Sequence, residues 1–585
     1  MQKQIIRRTP VADQHLPMNL HPVVRQLYAS RGVAGDHELE LTLKQMAPVT
    51  SLSGLAAGCD ILYQALQTGK RITIVGDFDA DGATSTALMM EALTLLGSRS
   101  HNFIVPNRFE YGYGLSPEIV EIAHQQGAEL IITVDNGISC FAGIECAQSL
   151  GMQVIVTDHH LPGEKLPPAD AIINPNQYNC QFPSKALAGV GVAFYFMLAL
   201  RKLLRDENWF ANQQIPEPNL AQLLDLVALG TVADVVPLDA NNRILVAQGL
   251  KRIRAGFTRP GIQALIEIAK RDQTKLVAAD FGFALGPRIN AAGRLDDMSY
   301  GINCLLANDL MEARVMASEL DELNKARREI EQGMQVEAER VLASLKFSED
   351  NLPFAIALFQ KDWHQGVIGI VAGRLKEKFH RPSIVFAAAD ADFPNKDGVF
   401  DNEQEIKGSA RSIPGLHIRD LLEHIDSQHP NIIIKFGGHA MAAGLSIQAK
   451  NFEQFNQLFS QYAEAWLDKE QLTGTLLSDG ELPASLMTIE FADLLQEAGP
   501  WGQQFPEPLF DDEFELLQQR IVGEKHLKLV VQKDNIAFDA IAFNVDVKAW
   551  PNSQAKKAHI AYKLSVNEFR GKQNVQLMVE HLKAL

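Results

Sequence analysis

At 585 residues the chain is too long for one hydrophobic core, and about three or four domains are expected. Its 54 Lys and Arg against 71 Asp and Glu leave a net charge of −17, which excludes a protein coated in basic surface but not a local basic channel. With 46% apolar and 21% charged residues, the composition is that of an ordinary globular protein.

Residues 1–50 are polar with scattered proline and read as an N-terminal arm or small cap. No apolar run follows Arg7 and Arg8, so no secretory signal is expected. From 51 to 308, strand-like and helix-like stretches alternate, the pattern of a doubly wound α/β domain. Within it Arg71–Gly76, Leu130–Val134 and Met152–Thr157 are rich in Ile and Val with little alternation, as in parallel strands buried on both faces. Each run ends in acid or histidine: Asp77, Asp79 and Asp81 after the first, Asp135 after the second, Asp158-His159-His160 after the third. Asp234 follows downstream in Gly230–Asp234.

Ligands of open α/β sheets gather outside the carboxyl ends of the strands. If the three runs lie side by side, these groups meet at one edge and repel one another unless divalent cations neutralise them. Ala186–Leu200 is the most apolar stretch; at 15 residues it is too short for a membrane span and reads as a buried helix. The five cysteines are scattered without a CxxC pair, as for reduced thiols in a cytoplasmic protein. Gly286–Arg294 reads as a Gly-rich loop in which Arg288, Asn290 and Arg294 favour phosphate contacts.

Residues 309–345 contain no proline and carry charges at helical spacing, so one long connecting helix is expected. A second α/β domain follows over 346–465, with strands at Phe354–Phe359, Pro382–Phe386 and Ile432–Phe436 and a helix opening at His364–Gly369. That helix start favours anions. Gly437-Gly438-His439 reads equally as an anion-binding nest or as a tight strand-to-helix turn. Over 466–585, alternating runs at 527–532, 536–541, 559–564 and 575–580 predict a small antiparallel, OB-like β-barrel. From residue 516 onward there are 11 Lys and Arg against 6 Asp and Glu, a reversal of the overall charge. A basic barrel of this kind suits single nucleic-acid strands, with Phe543, Tyr562 and Phe569 as stacking candidates.

The Asp77-x-Asp79-x-Asp81-Gly82 segment is not an EF-hand, because Leu88 stands where the closing Glu belongs and a strand precedes it. No cysteine takes part, which argues against structural zinc, whereas carboxylates with imidazole suit Mn²⁺ or Mg²⁺. Two such ions form a clamp for displacement at phosphorus. No Walker A loop or strand-linked G-x-G-x-x-G is present, so nucleoside-triphosphate and dinucleotide readings lose support.

An ordered series of motifs runs along the chain: GDFDADG at 76–82, VDNG at 134–137, TDHH at 157–160, GTVADVVPL at 230–238, GPRINAAGRLDD at 286–297, KGSARS at 407–412 and GGHAMAAG at 437–444. With these the chain resembles the DHH phosphoesterases, and within them the single-strand-specific exonucleases, over nearly its whole length. The resemblance implies a parallel-sheet DHH core, a connecting helix, a DHH-associated domain and a C-terminal OB-like barrel. It implies that Asp79, Asp81, Asp135, His159 and Asp234 bind two Mn²⁺ or Mg²⁺ ions, with Asp135 as a bridge. Asp77 fills a place where related phosphatases use a nearby His. His160 would touch the scissile phosphate, and Asp158 would orient an imidazole. The region of Ser409 and Arg411 would hold the 5′ end of the strand, and the GGH motif of the DHH-associated domain turns Gly437, Gly438 and His439 towards substrate, with His364 a further substrate-side candidate at its helix start.

The implied activity is metal-dependent hydrolysis of single-stranded DNA from the 5′ end to 5′-mononucleotides, in DNA repair and recombination. A cleft admitting one strand between the two α/β domains would exclude duplex. A single-strand-binding protein and a helicase are candidate partners, and no membrane contact is implied. The alternatives are a DHH-family phosphatase or oligonucleotide-degrading enzyme acting on small substrates, and a non-enzymatic replication-scaffold relative, against which the intact ligand set argues.

Overall fold

The chain divides into two bodies: Arg8–Asn324 with Asp479–Leu585 form one, and Lys325–Ser478 with the short strand β1 (Gln4–Arg7) belong to the other. The structure, a computed structural model, describes residues 3–107, 111, 113–344, 352–389 and 403–585, so the junction expected at 345–346 lies outside the described residues. Among the described residues, no helix is long and apolar enough to cross a membrane.

The first body is built on a parallel sheet of β2 (Ile72–Val75), β3 (His101–Ile104), β4 (Leu130–Val134), β5 (Gln153–Thr157) and β6 (Ala171–Ile173). Their order is β3-β2-β4-β5-β6. The missing alternation has a plain cause: both faces are covered. Ile72, Ile74, Ile132 and Ile155 enter one apolar cluster, while Val75, Ile131, Val154 and Val156 enter another on the opposite face. The three acid-tipped runs, β2, β4 and β5, are direct neighbours. The order reverses between β2 and β4, and in such sheets the gap at the reversal is where ligands bind.

The second body holds the mixed sheet of β7 (Ile356–Phe359), β8 (Ser383–Ala388), β9 (Glu405–Arg411), β10 (Ile433–Gly438) and β11 (Ala442–Gln448), in the order β10-β11-β9-β8-β7, while β12 (Thr475–Ser478) pairs with β1. The connecting helix is Leu310–Ser344, started by Asp309, whose Oδ1 accepts the N–H groups of Met311 and Glu312. Its later part belongs to the second body. There Glu331 accepts from Arg327 at 2.6 Å and from Arg374 at 2.9 Å, and Glu337 accepts from Trp363 Nε1 at 2.7 Å.

The C-terminal barrel is closed and has five strands, β13 (Phe510–Val522), β14 (His526–Lys533), β15 (Ile536–Ala542), β16 (Lys557–Phe569) and β17 (Lys572–Ala584). Four of them match the alternating runs. β13 escapes a pattern reading because it opens with two consecutive buried acids: Asp511 pairs with His559 at 2.7 Å, and Asp512 pairs with Lys533 and Tyr562. Tyr562 is thus fully buried with its hydroxyl donating to Asp512, which removes it as a stacking surface. Phe543 is half exposed beside His526, and the side chain of Phe569 lies outside the described residues.

The first fifty residues are not a detached arm. Helix Pro22–Ser30 places Val24 and Leu27, three residues apart on one face, into the barrel's apolar core. Tyr28 donates to the Ala498 carbonyl at 2.9 Å, and Arg31 forks onto Asp479.

Candidate metal centre

Strand β2 leads through Gly76 into Asp77 and Phe78. Asp79 is then the N-cap of helix Ala80–Leu95, its Oδ1 accepting from Asp81 N–H at 2.9 Å and Gly82 N–H at 3.0 Å. The three acids are therefore thrown onto one strand-to-helix corner. Gly82 lies against that corner, where a Cβ would sit 2.6 Å from the Asp77 carbonyl oxygen.

Asp135 follows β4 with φ +61°, a left-handed conformation that Asp and Asn tolerate better than most residues. Asn136 Nδ2 donates to the carbonyls of Val75 at 3.1 Å and Val134 at 2.9 Å, tying the tips of β2 and β4 across the reversal.

Behind β5, Asp158 accepts four hydrogen bonds: from Ile138 N–H, His159 N–H, His160 N–H and, at 2.7 Å, His160 Nδ1. Asn174 and Asn176, just past β6, donate to the carbonyls of His160 and His159 and hold that turn. Helix Leu224–Ala233 ends with Asp234 as its C-cap. Gly230 is required there because a Cβ would collide with Thr84 Oγ1 of the neighbouring helix.

These elements bring the donors together. Ligand atoms of Asp77, Asp79 and Asp135, of Asp81, His159 and Asp234, and of Asp135, His159 and His160 form three sets, each within 4.8 Å. His159 Nε2 lies 3.1 Å from Asp135 Oδ1 and 3.5 Å from Asp234 Oδ2. Both oxygens of Asp81 accept N–H groups, those of Gly189 at 2.7 Å and Val190 at 2.9 Å, from the first turn of helix Gly189–Asp206. Asp135 Oδ1 is buried and accepts no hydrogen bond among the described residues.

Burial, then the neighbouring Asp79, pushes Asp81 up to about 7. Burial followed by Asp81 and Asp79 drives Asp135 and Asp234 well above the carboxylate range. A buried, mutually repelling acid cluster with an orphaned oxygen fits divalent cations. His160 differs: burial disfavours its charged ring, but the hydrogen bond and charge of Asp158 outweigh that and push it up to about 9.

The residues expected to meet substrate fall in two places. Gly286–Leu295 is a helix, not a loop. Gly293 explains its composition, since a Cβ there would overlap the Phe78 carbonyl oxygen; the glycines let a helix pack directly on the acid corner. Arg288 and Asn290 consequently act on the protein. Arg288 pairs with Asp321 at 2.9 Å and donates to the Ala284 carbonyl, while Asn290 Oδ1 accepts the Ala80 N–H at 2.7 Å and so secures the start of the Asp79 helix. Arg294 sits half-buried in the last turn of that helix.

The other residues belong to the second body. The predicted helix opening at His364 begins at Ile368 instead; His364 Nδ1 accepts the Gly366 N–H in the turn before it. Ser409 and Arg411 share one face of β9, joined by a 3.1 Å hydrogen bond, and Gly369 in the helix lies against both. Gly437 and Gly438 end β10, and His439 is in the hairpin turn to β11, so the segment is a β-hairpin and neither a nest nor a strand-to-helix turn. Gly437 pairs with Gly444, which pairs with Ser409, leaving a row of nearly bare backbone across β10, β11 and β9.

Sequence reasoning missed Gly189, Val190, Asn136, Asn174, Asn176 and Tyr113. Tyr113 donates to the Asp135 carbonyl at 3.0 Å and sets its ring edge-on to His160. The Asn-x-Asn spacing at 174–176 after a strand was the available signal.

Three family models match the chain: the DHH family N-terminal domain over residues 71–231, the DHHA1 domain over 351–465 and the RecJ OB domain over 478–581. The single-stranded-DNA-specific exonuclease RecJ of Dickeya dadantii is 58% identical over 579 residues, covering 99% of this chain and 98% of the relative. A solved RecJ from Thermus thermophilus in complex with Mn²⁺ superposes with a TM-score of 0.80 at 29% identity, covering 100% of this chain and 79% of that one. The same protein in complex with Mg²⁺ gives a TM-score of 0.75 at 27% identity, covering 100% and 78%.

Proposed function

The chain belongs to the RecJ family of single-stranded-DNA-specific exonucleases, and we propose that it is a metal-dependent exonuclease cutting single-stranded DNA from the 5′ end to 5′-mononucleotides. The observation that carries the chemistry is the convergence of buried Asp77, Asp81 and Asp135 with half-buried Asp79, His159 and Asp234 at the reversal point of the sheet. These residues would hold two Mn²⁺ or Mg²⁺ ions. When bound, such ions supply an activated water and stabilise charge on the leaving oxygen.

The protein's own groups do the rest. Asp158 fixes the ring of His160 through Nδ1, and we assign the contact with the scissile phosphate to Nε2 as a proton donor. The hydrogen bond and charge of Asp158 strengthen the hold of His160 on its proton, which suits it to an anionic substrate. Ser409, Arg411 and the bare Gly437–Gly444 row, together with His364 and His439 of the same body, are proposed to grip the terminal nucleotide. The barrel is proposed to bind the strand beyond the site. Action in DNA repair and recombination, a cytoplasmic location, and work alongside a helicase and a single-strand-binding protein extend this reading. The closed barrel and the match along the full chain speak against the small-substrate phosphatase alternative.

The test uses end-labelled single- and double-stranded DNA with Mn²⁺ and then with chelator. Mononucleotides released from the 5′ end of single strands alone, and nothing with chelator, are expected. Equal cutting of duplex, or cutting in chelator, would overturn the reading.

Removing the barrel outright is a poor test of its role, because its core includes Val24 and Leu27 and its linker bonds Leu238 of the catalytic body. Neutralising the exposed Lys525, Lys548, Lys556 and Lys572 to Gln is cleaner. Affinity for long single strands should fall, and the slope of its salt dependence should flatten by up to about one unit for each phosphate no longer neutralised. Cutting of very short oligonucleotides should change little. Salt-titrated binding measurements check this.

A further inference from the structure

Two antiparallel helices carry metal-site residues at one end and converge on a single arginine at the other. Helix Ala80–Leu95 starts at Asp79 and Asp81, and Glu91 lies near its far end. Helix Leu224–Ala233 finishes at Asp234, and Asp225 lies at its far end. Arg259 sits between those far ends. Its guanidinium forks onto Asp225, Nε to Oδ2 at 3.1 Å and Nη2 to Oδ1 at 2.8 Å, while Nη1 donates to Glu91 Oε2. The Arg259 backbone N–H and the Thr258 hydroxyl also donate to Asp225, which is 1% exposed.

We propose that Arg259 is a remote positioning residue for the metal centre: it locks the sliding register of the two helices that deliver Asp81 and Asp234. This rests on the metal-centre reading above. The arithmetic favours it. Glu91 is ten residues beyond Asp81 and Asp225 is nine before Asp234, spans of roughly 15 Å and 14 Å at the helical rise, so one tie at the far end matches one ligand pair at the near end. Gly230 brings the two helices into close approach beside the ligands, since a Cβ there would collide with Thr84 Oγ1 and lie 3.0 Å from Asp81 Oδ1, so a shift of one helix along the other passes directly to the ligand pair. A displacement of one residue would move a ligand by about 1.5 Å, enough to spoil a coordination shell. The bidentate fork suits Arg and not Lys, whose ammonium is a single point charge.

The experiment measures Mn²⁺ binding by calorimetry and thermal unfolding in chelator for the full chain, Arg259→Lys and Glu91→Ala. Glu91→Ala removes the acceptor of Arg259 Nη1, leaves the buried Arg259–Asp225 fork intact and cuts only the tie to the Asp81 helix, so it serves if Arg259→Lys does not fold. In Glu91→Ala the Mn²⁺ dissociation constant should rise by about tenfold, with the unfolding temperature in chelator close to that of the parent. In a folded Arg259→Lys it should rise at least as much. Unchanged Mn²⁺ affinity in Glu91→Ala, or a loss confined to thermal stability, would overturn the proposal. A parent chain that binds no Mn²⁺ would instead overturn the metal-centre reading.

Discussion

Asp135→Asn is expected to lower turnover on the order of 10³-fold while leaving the protein folded. Asn keeps the side-chain shape and tolerates the φ of +61° that position 135 requires, so neither packing nor backbone is disturbed. Space is tight: Gly189 faces Asp135, and a Cβ there would lie 2.6 Å from Oδ1, so only an isostere avoids a clash. The substitution relieves a cluster in which burial and mutual repulsion raise the protonation of Asp81, Asp135 and Asp234. The metal-free protein should therefore unfold at the same temperature as the parent or higher, while the stabilisation given by Mn²⁺ shrinks. Rates on a labelled single strand at saturating Mn²⁺, with unfolding curves in chelator, check both halves. Turnover above about a tenth of the parent value would remove Asp135 from the ligand set.

The stabilisation conferred by Mn²⁺ should grow steeply between pH 6 and pH 8. Asp81 is pushed up to about 7, first by burial and then by Asp79, and Asp135 and Asp234 lie well above the carboxylate range. Carboxyls whose folded values exceed their unfolded ones stabilise the fold while protonated. That contribution is complete below the unfolded carboxylate range and is lost as pH rises through about 7 and beyond. His160, raised to about 9 by Asp158 against the pull of burial, changes with the same sign, losing its contribution as pH rises toward that value. Asp158 moves the opposite way: burial would raise it, but His160 and the turn amides hold it below the carboxylate range, so it does not titrate in this window. In chelator, then, the unfolding temperature should drift down from pH 6 to pH 8. Mn²⁺ replaces the missing protons, and its effect should be small at pH 6 and large at pH 8. A metal-induced shift independent of pH would mean that the ions bind elsewhere.

The acid edge was legible because each ligand run obeys a local rule. Ile and Val without alternation mark strands covered on both faces, and the chemistry follows at once in Asp77–Asp81, Asp135 and Asp158–His160. In the second body β7, β8 and β10 were legible, whereas β9 and β11 were not, because β9 alternates between a covered and a half-open face and β11 is rich in Ala and Gly. What was not legible depended on partners far along the chain. Gly286–Leu295 looks like a loop because its small residues answer to the Phe78 carbonyl, more than two hundred positions earlier. Asp511 and Asp512 hide β13 because the cations that meet their charges, His559 and Lys533, lie on other strands. The amides of Gly189 and Val190 carry no side-chain signature at all, yet they hold both oxygens of Asp81.

The seating of helix Pro22–Ser30 in the barrel core bears on how the molecule is made. Tyr28 and its acceptor Ala498 are 470 positions apart. At about 5–20 residues per second, the ribosome needs roughly half a minute to a minute and a half to bridge that interval. Throughout it, Val24 and Leu27 have no barrel to enter, and the nascent helix presents a sticky face to whatever is near. That face stays uncovered until the late β-strands arrive.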